Sequence, residues 1–250
     1  MGKTYEALER AEKEYAAITI GLDVPRAPRE FAVSVYPRPA VQHAAMECYE
    51  ELKTNIFTAH AQESVKTILF SGTNHGDGSS TTAINFAATL AADPGTRVLL
   101  MDVNLRTPSL HATFHLEQSH GLSDLLTDGK DPEKMIKKVK NRSLHVVTCG
   151  TCHMGPVSLF ESAVFCEFLK FMRAKFDHII LDGPPVLSFS ETRVLCSKVD
   201  GVVMVVAAGK TREHVAKRAK QEIEGAGGKI LGLVLNRRKF FIPEWIYRRL

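Results

Sequence analysis

The segment best suited to chemistry is glycine-rich: residues 71–81 have the sequence SGTNHGDGSST and follow the apolar run VKTILF. A strand, a glycine-rich turn and a helix N-terminus form an anion site, because backbone N–H groups point outward and the helix dipole favours negative charge. Gly76 and Gly78 let the backbone approach phosphate oxygens without a Cβ in the way. The segment fits the phosphate-loop pattern GxxxxGK[ST] at Gly78 and Ser80.

Two positions of the segment depart from that pattern: Thr73 replaces the first glycine, and Ser79 stands where the lysine belongs. The lysine contacts the β- and γ-phosphates and neutralises their charge. A hydrogen bond to a charged group is worth about 1.5–3 kcal/mol, so its loss weakens binding by roughly 10- to 150-fold. Taken alone, the segment fits either a nucleotide site or a glycine-serine turn that only starts a helix.

Two carboxylates follow other apolar runs: VLLMD ends in Asp102 and HIILD ends in Asp182. Carboxylates at the carboxyl ends of parallel strands lie where α/β proteins bind ligands. Asp182 is placed to hold Mg²⁺ through water. Each aspartate alone could simply cap a helix or turn, but three such segments in this order favour a nucleotide site.

Apolar runs alternate with helix-like segments along most of the chain, which is typical of a parallel sheet covered on both faces. We predict a single doubly wound, mainly parallel α/β domain, P-loop NTPase-like, over residues 41–236. Residues 1–40 are predicted to contain a helix at 4–17 and a proline-containing linker at 22–40. The predicted strands are 65–70, 97–102, 143–148, 178–182, 201–207 and 229–236, and the predicted helices are 41–57, 81–92, 132–140, 158–175 and 211–226.

The composition narrows the class of protein. The 250 residues are 44% hydrophobic and 24% charged, as in a globular chain that folds without disulfides or metal. This excludes a disulfide scaffold, a collagen-like repeat and a wholly disordered chain. No apolar stretch approaches 18 residues and the charged start lacks the apolar core of a signal peptide, so we expect a cytoplasmic protein with reduced thiols.

The final segment, residues 237–250, has the sequence RRKFFIPEWIYRRL and carries the whole net charge of +4. It fits either a terminal segment that packs its aromatic side chains on the core or one that docks on an anionic membrane surface or a membrane partner. No other basic patch is concentrated enough to support nucleic-acid binding.

The motifs resemble those of the bacterial tyrosine kinases (BY-kinases, CpsD/CapB-like) of capsule and exopolysaccharide synthesis. These kinases lie within the deviant-Walker P-loop class that includes the MinD- and ParA-type ATPases. GDGSSTTAINFAATLA resembles Walker A, VLLMDVNLRTPSLHATF resembles Walker A′ and FDHIILDGPPVL resembles Walker B. The resemblance covers nearly all of the chain and implies that ATP or ADP binds with Mg²⁺.

The resemblance also implies roles for individual residues. Asp102 and Asp182 would be the catalytic carboxylates, and both would organise Mg²⁺ together with Ser80. Asn236 would contact the adenine base. The remaining implied nucleotide-binding residues are Gly76, Asp77, Gly78, Ser79, Ser80, Thr81 and Arg106.

Four departures from the family pattern occur together. Besides Ser79, Asn104 replaces the second aspartate of the Walker A′ pattern DxDxR, and Glu50 replaces the central arginine of the assembly motif ExxRxxR. The tail has a single tyrosine, Tyr247, where the family has a phosphorylated cluster. The four changes indicate relaxed selection for kinase activity.

The resemblance therefore implies an ATP-binding protein at the inner face of the plasma membrane. It would act with a membrane polysaccharide co-polymerase, and its tyrosine kinase activity would be weak or lost. Two alternatives stay open: a nucleotide-free interaction module (a pseudokinase), and an active tyrosine autokinase in which Lys210 or Arg106 substitutes for the lysine. Homo-oligomer formation is compatible with the sequence.

The cysteines suggest one further site, which we reject. Cys149, Cys152 and His153 match the CxxCH string of haem attachment. Covalent haem attachment takes place outside the cytoplasm, so we interpret the string as an incidental loop.

Overall fold

The computed structural model describes residues 39–129, 131–139, 143–151 and 155–237. The strands are β1 (Thr67–Gly72), β2 (Val98–Asp102), β3 (Lys137–Lys138), β4 (Leu144–Val147), β5 (His178–Asp182), β6 (Gly201–Ala207) and β7 (Ile230–Asn236). The helices are α1 (Pro39–Ala59), α2 (Ser79–Leu90), α3 (Leu110–Phe114), α4 (Leu122–Asp128), α5 (Pro156–Glu161), α6 (Ala163–Lys175), α7 (Ser190–Cys196) and α8 (Glu213–Gly225), with a 3₁₀ helix at Pro132–Met135. The predicted helix 4–17, linker residues 22–38 and tail residues 238–250 lie outside the described ranges.

The seven strands form one sheet in the order β3-β4-β2-β5-β1-β6-β7. All neighbouring strands are parallel except β3 and β4, which are antiparallel. Every residue of β1, β2 and β6 is buried, because helices cover both faces of the sheet. The predicted doubly wound, mainly parallel α/β fold is confirmed.

Two apolar clusters lie on opposite faces of the sheet. One packs Leu69 of β1 against side chains of α6, α7 and α8, including Phe168 and Ile223. The other packs Phe70 of the same strand against α1 and α2, where Phe86 lies with its ring centroid 5.2 Å from that of Phe70. Since successive strand residues face opposite sides, this alternation fixes the register of β1 between its covering helices.

The sheet topology brings the chemical groups of the sequence to one edge. β1 lies between β5 and β6, so the turn that leaves β1 emerges beside the carboxyl ends of both neighbours. Asp102 at the end of β2 is in register with Asp182 at the end of β5. Asn236 at the end of β7 is in register with Ala207 at the end of β6.

The predicted helix over 132–140 is wrong. Asp131 and Pro132 start a single 3₁₀ turn, and Lys137–Lys138 then pair with β4. The backbone completes the edge of the sheet instead of continuing a helix. The Lys137 ammonium is fixed by hydrogen bonds that it donates to the Ser119 carbonyl oxygen at 2.9 Å and the Thr148 hydroxyl at 2.7 Å.

Other boundaries also differ from the sequence-based expectation. The predicted helix 158–175 is two helices, because Ser162 has an extended backbone (ψ 148°) and its hydroxyl caps α6 by accepting from the Phe165 N–H at 3.1 Å. Helix α1 begins at Pro39, inside the predicted linker 22–40, and α3, α4 and α7 were not predicted. No helix in the described part of the chain has both the length and the apolar character needed to cross a membrane.

Candidate functional site

The glycine-rich turn between β1 and α2 is folded around the buried side chain of Asp77. Asp77 Oδ2 accepts hydrogen bonds from the Thr73 hydroxyl at 2.5 Å and the Asn74 N–H at 2.8 Å. Thr73, which replaces the first glycine of the loop pattern, therefore uses its hydroxyl to close the turn. The predicted nucleotide-binding residue Asp77 holds the loop through its side chain, and its contact with a ligand stays a prediction.

The first turn of α2 presents to the mouth of the loop backbone N–H groups that have no acceptor within the helix. Gly78 is the N-cap with φ 91°, and the first backbone hydrogen bond of the helix runs from the Thr82 N–H to the Gly78 carbonyl oxygen at 3.0 Å. The N–H groups of Ser79, Ser80 and Thr81 precede that bond and have no acceptor within the helix. With the helix dipole, they make this turn a suitable anion site.

The two glycines of the loop have the left-handed backbone that the site requires. Gly76 has φ 85°, and a Cβ on Gly78 would lie 2.1 Å from the Asn236 side-chain nitrogen. Asn236 fills that space and donates to the Asp77 carbonyl oxygen at 2.9 Å. Asn236, which is predicted to contact adenine, therefore also stabilises the loop through this hydrogen bond. Its contact with a base stays a prediction.

Asp102 and Asp182 lie side by side at the ends of β2 and β5, both fully buried. Asp102 accepts from the backbone N–H groups of Asn104 (3.2 Å), Ser109 (3.0 Å) and Leu110 (3.0 Å). Burial raises the pKa of Asp102 to about 6, against the lowering effect of these three donors. Asp102 thus shapes the turn that follows β2.

Asp182 has fewer hydrogen-bond donors around its carboxylate than Asp102 has. Burial raises the pKa of Asp182 to about 8, and the neighbouring Asp102 charge adds to the rise, while hydrogen bonds from the Ser80 and Ser109 hydroxyls oppose it. Among the described residues, Asp182 Oδ1 has no hydrogen-bond partner. A buried, unpartnered carboxylate oxygen beside a hydroxyl is an arrangement that a bound cation would stabilise.

These residues fit Mg²⁺. The donors at the site are oxygens, which Mg²⁺ prefers, and Mg²⁺ usually takes only one or two protein carboxylates, with phosphate and water completing its shell. Ser80 and Asp182 would hold the ion, with Asp102 alongside, and the ion would neutralise phosphate charge.

The Walker A′-like turn after β2 uses its polar side chains internally. Asn104 accepts from the Thr107 N–H at 3.1 Å and donates to the Thr107 hydroxyl at 3.0 Å. Arg106 Nε donates to Glu191 Oε1 at 2.8 Å, and the guanidinium lies 5.4 Å from the Phe189 ring centroid. The predicted nucleotide-binding residue Arg106 is therefore paired with a carboxylate that is 1% exposed.

Several of these contacts have no signal in the local sequence. Glu191 lies nine residues after Asp182 in an unpredicted helix, and nothing in its local sequence signals a buried carboxylate. The same holds for Thr211, whose hydroxyl donates to Asp77 Oδ1 at 3.5 Å from a turn that is 134 residues further along the chain. In the sequence AAGKT of this turn, only Lys210 indicates a possible role at the site. Its ammonium lies 3.9 Å from the position that a Cβ on Gly76 would take.

The fold and site define a P-loop NTPase-like protein, and residues 65–214 match the family described as an AAA domain. The structure is similar to the chimerical protein CapA2B2, with a TM-score of 0.73 and 29% identity over 78% of this chain and 85% of that one. It also shares its fold with the cell division ATPase MinD of Pyrococcus furiosus, with a TM-score of 0.59 and 21% identity over 74% of this chain and 78% of that one.

Curated relatives narrow the class further. The chain is 33% identical to the tyrosine-protein kinase YwqD of Bacillus subtilis over 193 residues, which are 77% of this chain and 81% of that kinase. It is 30% identical to the tyrosine-protein kinase CpsD of Streptococcus pneumoniae serotype 4 over 202 residues, 80% of this chain and 88% of that kinase. The chain belongs to the bacterial tyrosine kinase (BY-kinase) family.

Proposed function

We propose that the protein binds ATP or ADP with Mg²⁺ at the turn between β1 and α2. One observation carries this proposal: N–H groups at the start of α2 that have no acceptor within the helix lie beside the Ser80 hydroxyl and the buried Asp182, whose Oδ1 lacks a partner within the described residues. Anion donors and a cation ligand stand together, as a magnesium–nucleotide complex requires. Family membership supports the same assignment.

We further propose that tyrosine kinase activity is weak or lost. Ser79 cannot neutralise the charge that develops on the transferred phosphoryl group, which the loop lysine does in P-loop NTPases. Asn104, in place of the second Walker A′ carboxylate, is bonded to Thr107 and adds no negative charge near the metal. Both changes remove charged groups that would act on the phosphates or the metal during phosphoryl transfer. We therefore expect the rate of transfer to fall more than the affinity for nucleotide.

We propose that the protein works at the inner face of the plasma membrane in exopolysaccharide or capsule synthesis, with a membrane co-polymerase as its partner. The kinship with tyrosine-protein kinases such as CpsD supports this role. The basic aromatic segment 237–250 supplies the type of sequence that anionic lipid attracts, at about 1 kcal/mol for each basic residue near the surface.

The test is a titration of a fluorescent ATP analogue, with Mg²⁺, into the wild-type protein and into Ser79→Lys, followed by detection of phosphotyrosine in both. Micromolar binding by the wild type without phosphotyrosine is the expected result. Absence of binding to either protein would refute the nucleotide site and favour an interaction module.

A second candidate function, an active autokinase with a substitute cation, is favoured by the position of Lys210 beside Gly76. Phosphotyrosine in the wild type that disappears in Tyr247→Phe or in Asp102→Ala would support it. Such a result would contradict the proposal of lost activity while leaving the nucleotide site intact.

A further inference from the structure

We infer that Lys210, on the turn after β6, supplies the phosphate-binding cation that position 79 of the loop lacks. This inference rests on the proposed nucleotide site and identifies the side chain that recognises the charge of its ligand. The observation behind it is a distance: Lys210 Nζ lies 3.9 Å from the point where a Cβ on Gly76 would be. The ammonium group therefore lies directly against the phosphate loop.

The turn that carries Lys210 is fixed relative to the loop. The Lys210 N–H donates to the Ala207 carbonyl oxygen at 3.2 Å, and the Thr211 N–H donates to the same oxygen at 2.9 Å. The Thr211 hydroxyl accepts from the Ala207 N–H at 3.2 Å and faces Asp77 Oδ1 at 3.5 Å. The turn thus shares Asp77 with the loop itself.

Two further backbone contacts brace the same region. The Thr73 N–H donates to the Val205 carbonyl oxygen at 3.2 Å, which ties the start of the loop to β6. The Ala208 N–H donates to the Asn236 carbonyl oxygen at 2.8 Å, which ties the Lys210 turn to the end of β7. The base of the lysine is therefore held in place while its exposed side chain can turn toward bound phosphate.

Arg106, the second candidate to replace the loop lysine, is engaged elsewhere. Its Nε atom donates to Glu191 at 2.8 Å, and the Glu191 side chain is 1% exposed. If Arg106 moved to a phosphate, a buried carboxylate would lose that charged partner, which is strongly unfavourable. Lys210 Nζ, in contrast, already lies beside the loop at Gly76.

The experiment measures binding of ATP, ADP and AMP, each with Mg²⁺, to the wild type, Lys210→Ala and the matched control Lys217→Ala. Lys217 is an exposed lysine on α8 paired with Glu213, so its substitution makes the same change in net charge at a different element. We expect Lys210→Ala to weaken ATP and ADP binding by roughly tenfold or more, the size of one charge-assisted contact, and to leave AMP binding nearly unchanged. Lys217→Ala should change none of the three affinities by more than about twofold.

A rescue variant sharpens the test. Ser79→Lys should restore ATP affinity in the Lys210→Ala background and improve it much less in the wild type, because both lysines would serve the same phosphates. Equal affinity of wild type and Lys210→Ala for ATP, or equal effects of Ser79→Lys in the two backgrounds, would overturn the inference and leave the nucleotide site standing. Absence of ATP binding to the wild type would overturn both.

Discussion

Removing the charge of Asp182 tests the electrostatics of the site through the stability of the folded protein. The change is Asp182→Asn, measured on metal-free protein without nucleotide. Burial and the Asp102 charge raise the pKa of Asp182 from 3.8 to about 8 in the folded protein. The native state therefore retains a proton on Asp182 over a pH range in which the unfolded chain has released it.

The sign and size of the effect follow from that difference. Below pH 3.8 the carboxyl is protonated in both states and adds no penalty. Between pH 3.8 and about 8 the unfolded state ionises first, so the free energy of unfolding falls by up to 1.36 kcal/mol per pH unit. From pH 5 to pH 8.5 the wild type should lose about 4 kcal/mol relative to Asp182→Asn.

Urea denaturation in the presence of a chelator, at pH 5, 7 and 8.5, measures this difference. Asp200→Asn is the matched control. Burial acts to raise the Asp200 pKa, but hydrogen bonds from the Lys66 and Thr67 backbone and from Arg173 lower it overall. Because a lowered pKa affects stability only near and below the ordinary aspartate range, the gap between wild type and Asp200→Asn should stay constant from pH 5 to 8.5. A constant gap for Asp182→Asn as well would refute the account of a buried, proton-retaining carboxyl.

Two further predictions, each with its own control substitution, test the geometry of the site by urea denaturation. Gly78→Ala should destabilise the protein by about 3 kcal/mol or more, because its Cβ would meet the Asn236 side chain at 2.1 Å. Gly95→Ala, at φ 80° with nothing within 4 Å of its Cβ, should cost only about 1–2 kcal/mol, and equal losses would contradict the packing of the loop against β7. Arg106→Ala should lower the free energy of unfolding by about 3 kcal/mol, because it leaves the buried Glu191 carboxylate without its charged partner. Adding Glu191→Gln should recover part of that loss. If it recovers none, the ion pair is not the cause of the loss.

The central strands and the phosphate loop could be predicted because their signals are local. Residues 202–207 of β6 form a continuous apolar run because both faces of the strand are buried. Gly76 and Gly78 of the loop have positive φ, a backbone conformation that glycine adopts without strain. The edge strand β3 could not be predicted in this way. Lys137 in that strand carries a half-buried ammonium whose hydrogen-bond acceptors are carbonyl and hydroxyl oxygens distant in the sequence. Such partners do not follow from the nearby residues.

In the site, too, some residues have a local sequence signal and others depend on partners that are distant in the sequence. Asp102 and Asp182 were predicted from their positions at strand ends, and their neighbouring register follows from the parallel topology. The choice between Lys210 and Arg106 needed the folded chain, because the carboxylate that engages Arg106 is Glu191, 85 residues away. The roles of these residues toward nucleotide stay predictions.

The most direct measurement is crystal diffraction from the protein grown with excess ADP and Mg²⁺. We expect the diphosphate to lie against the backbone N–H groups of residues 79–81, with Mg²⁺ beside the Ser80 hydroxyl and Asp182. Nucleotide bound elsewhere, or a turn between β1 and α2 that holds no phosphate at saturating ADP, would contradict this expectation.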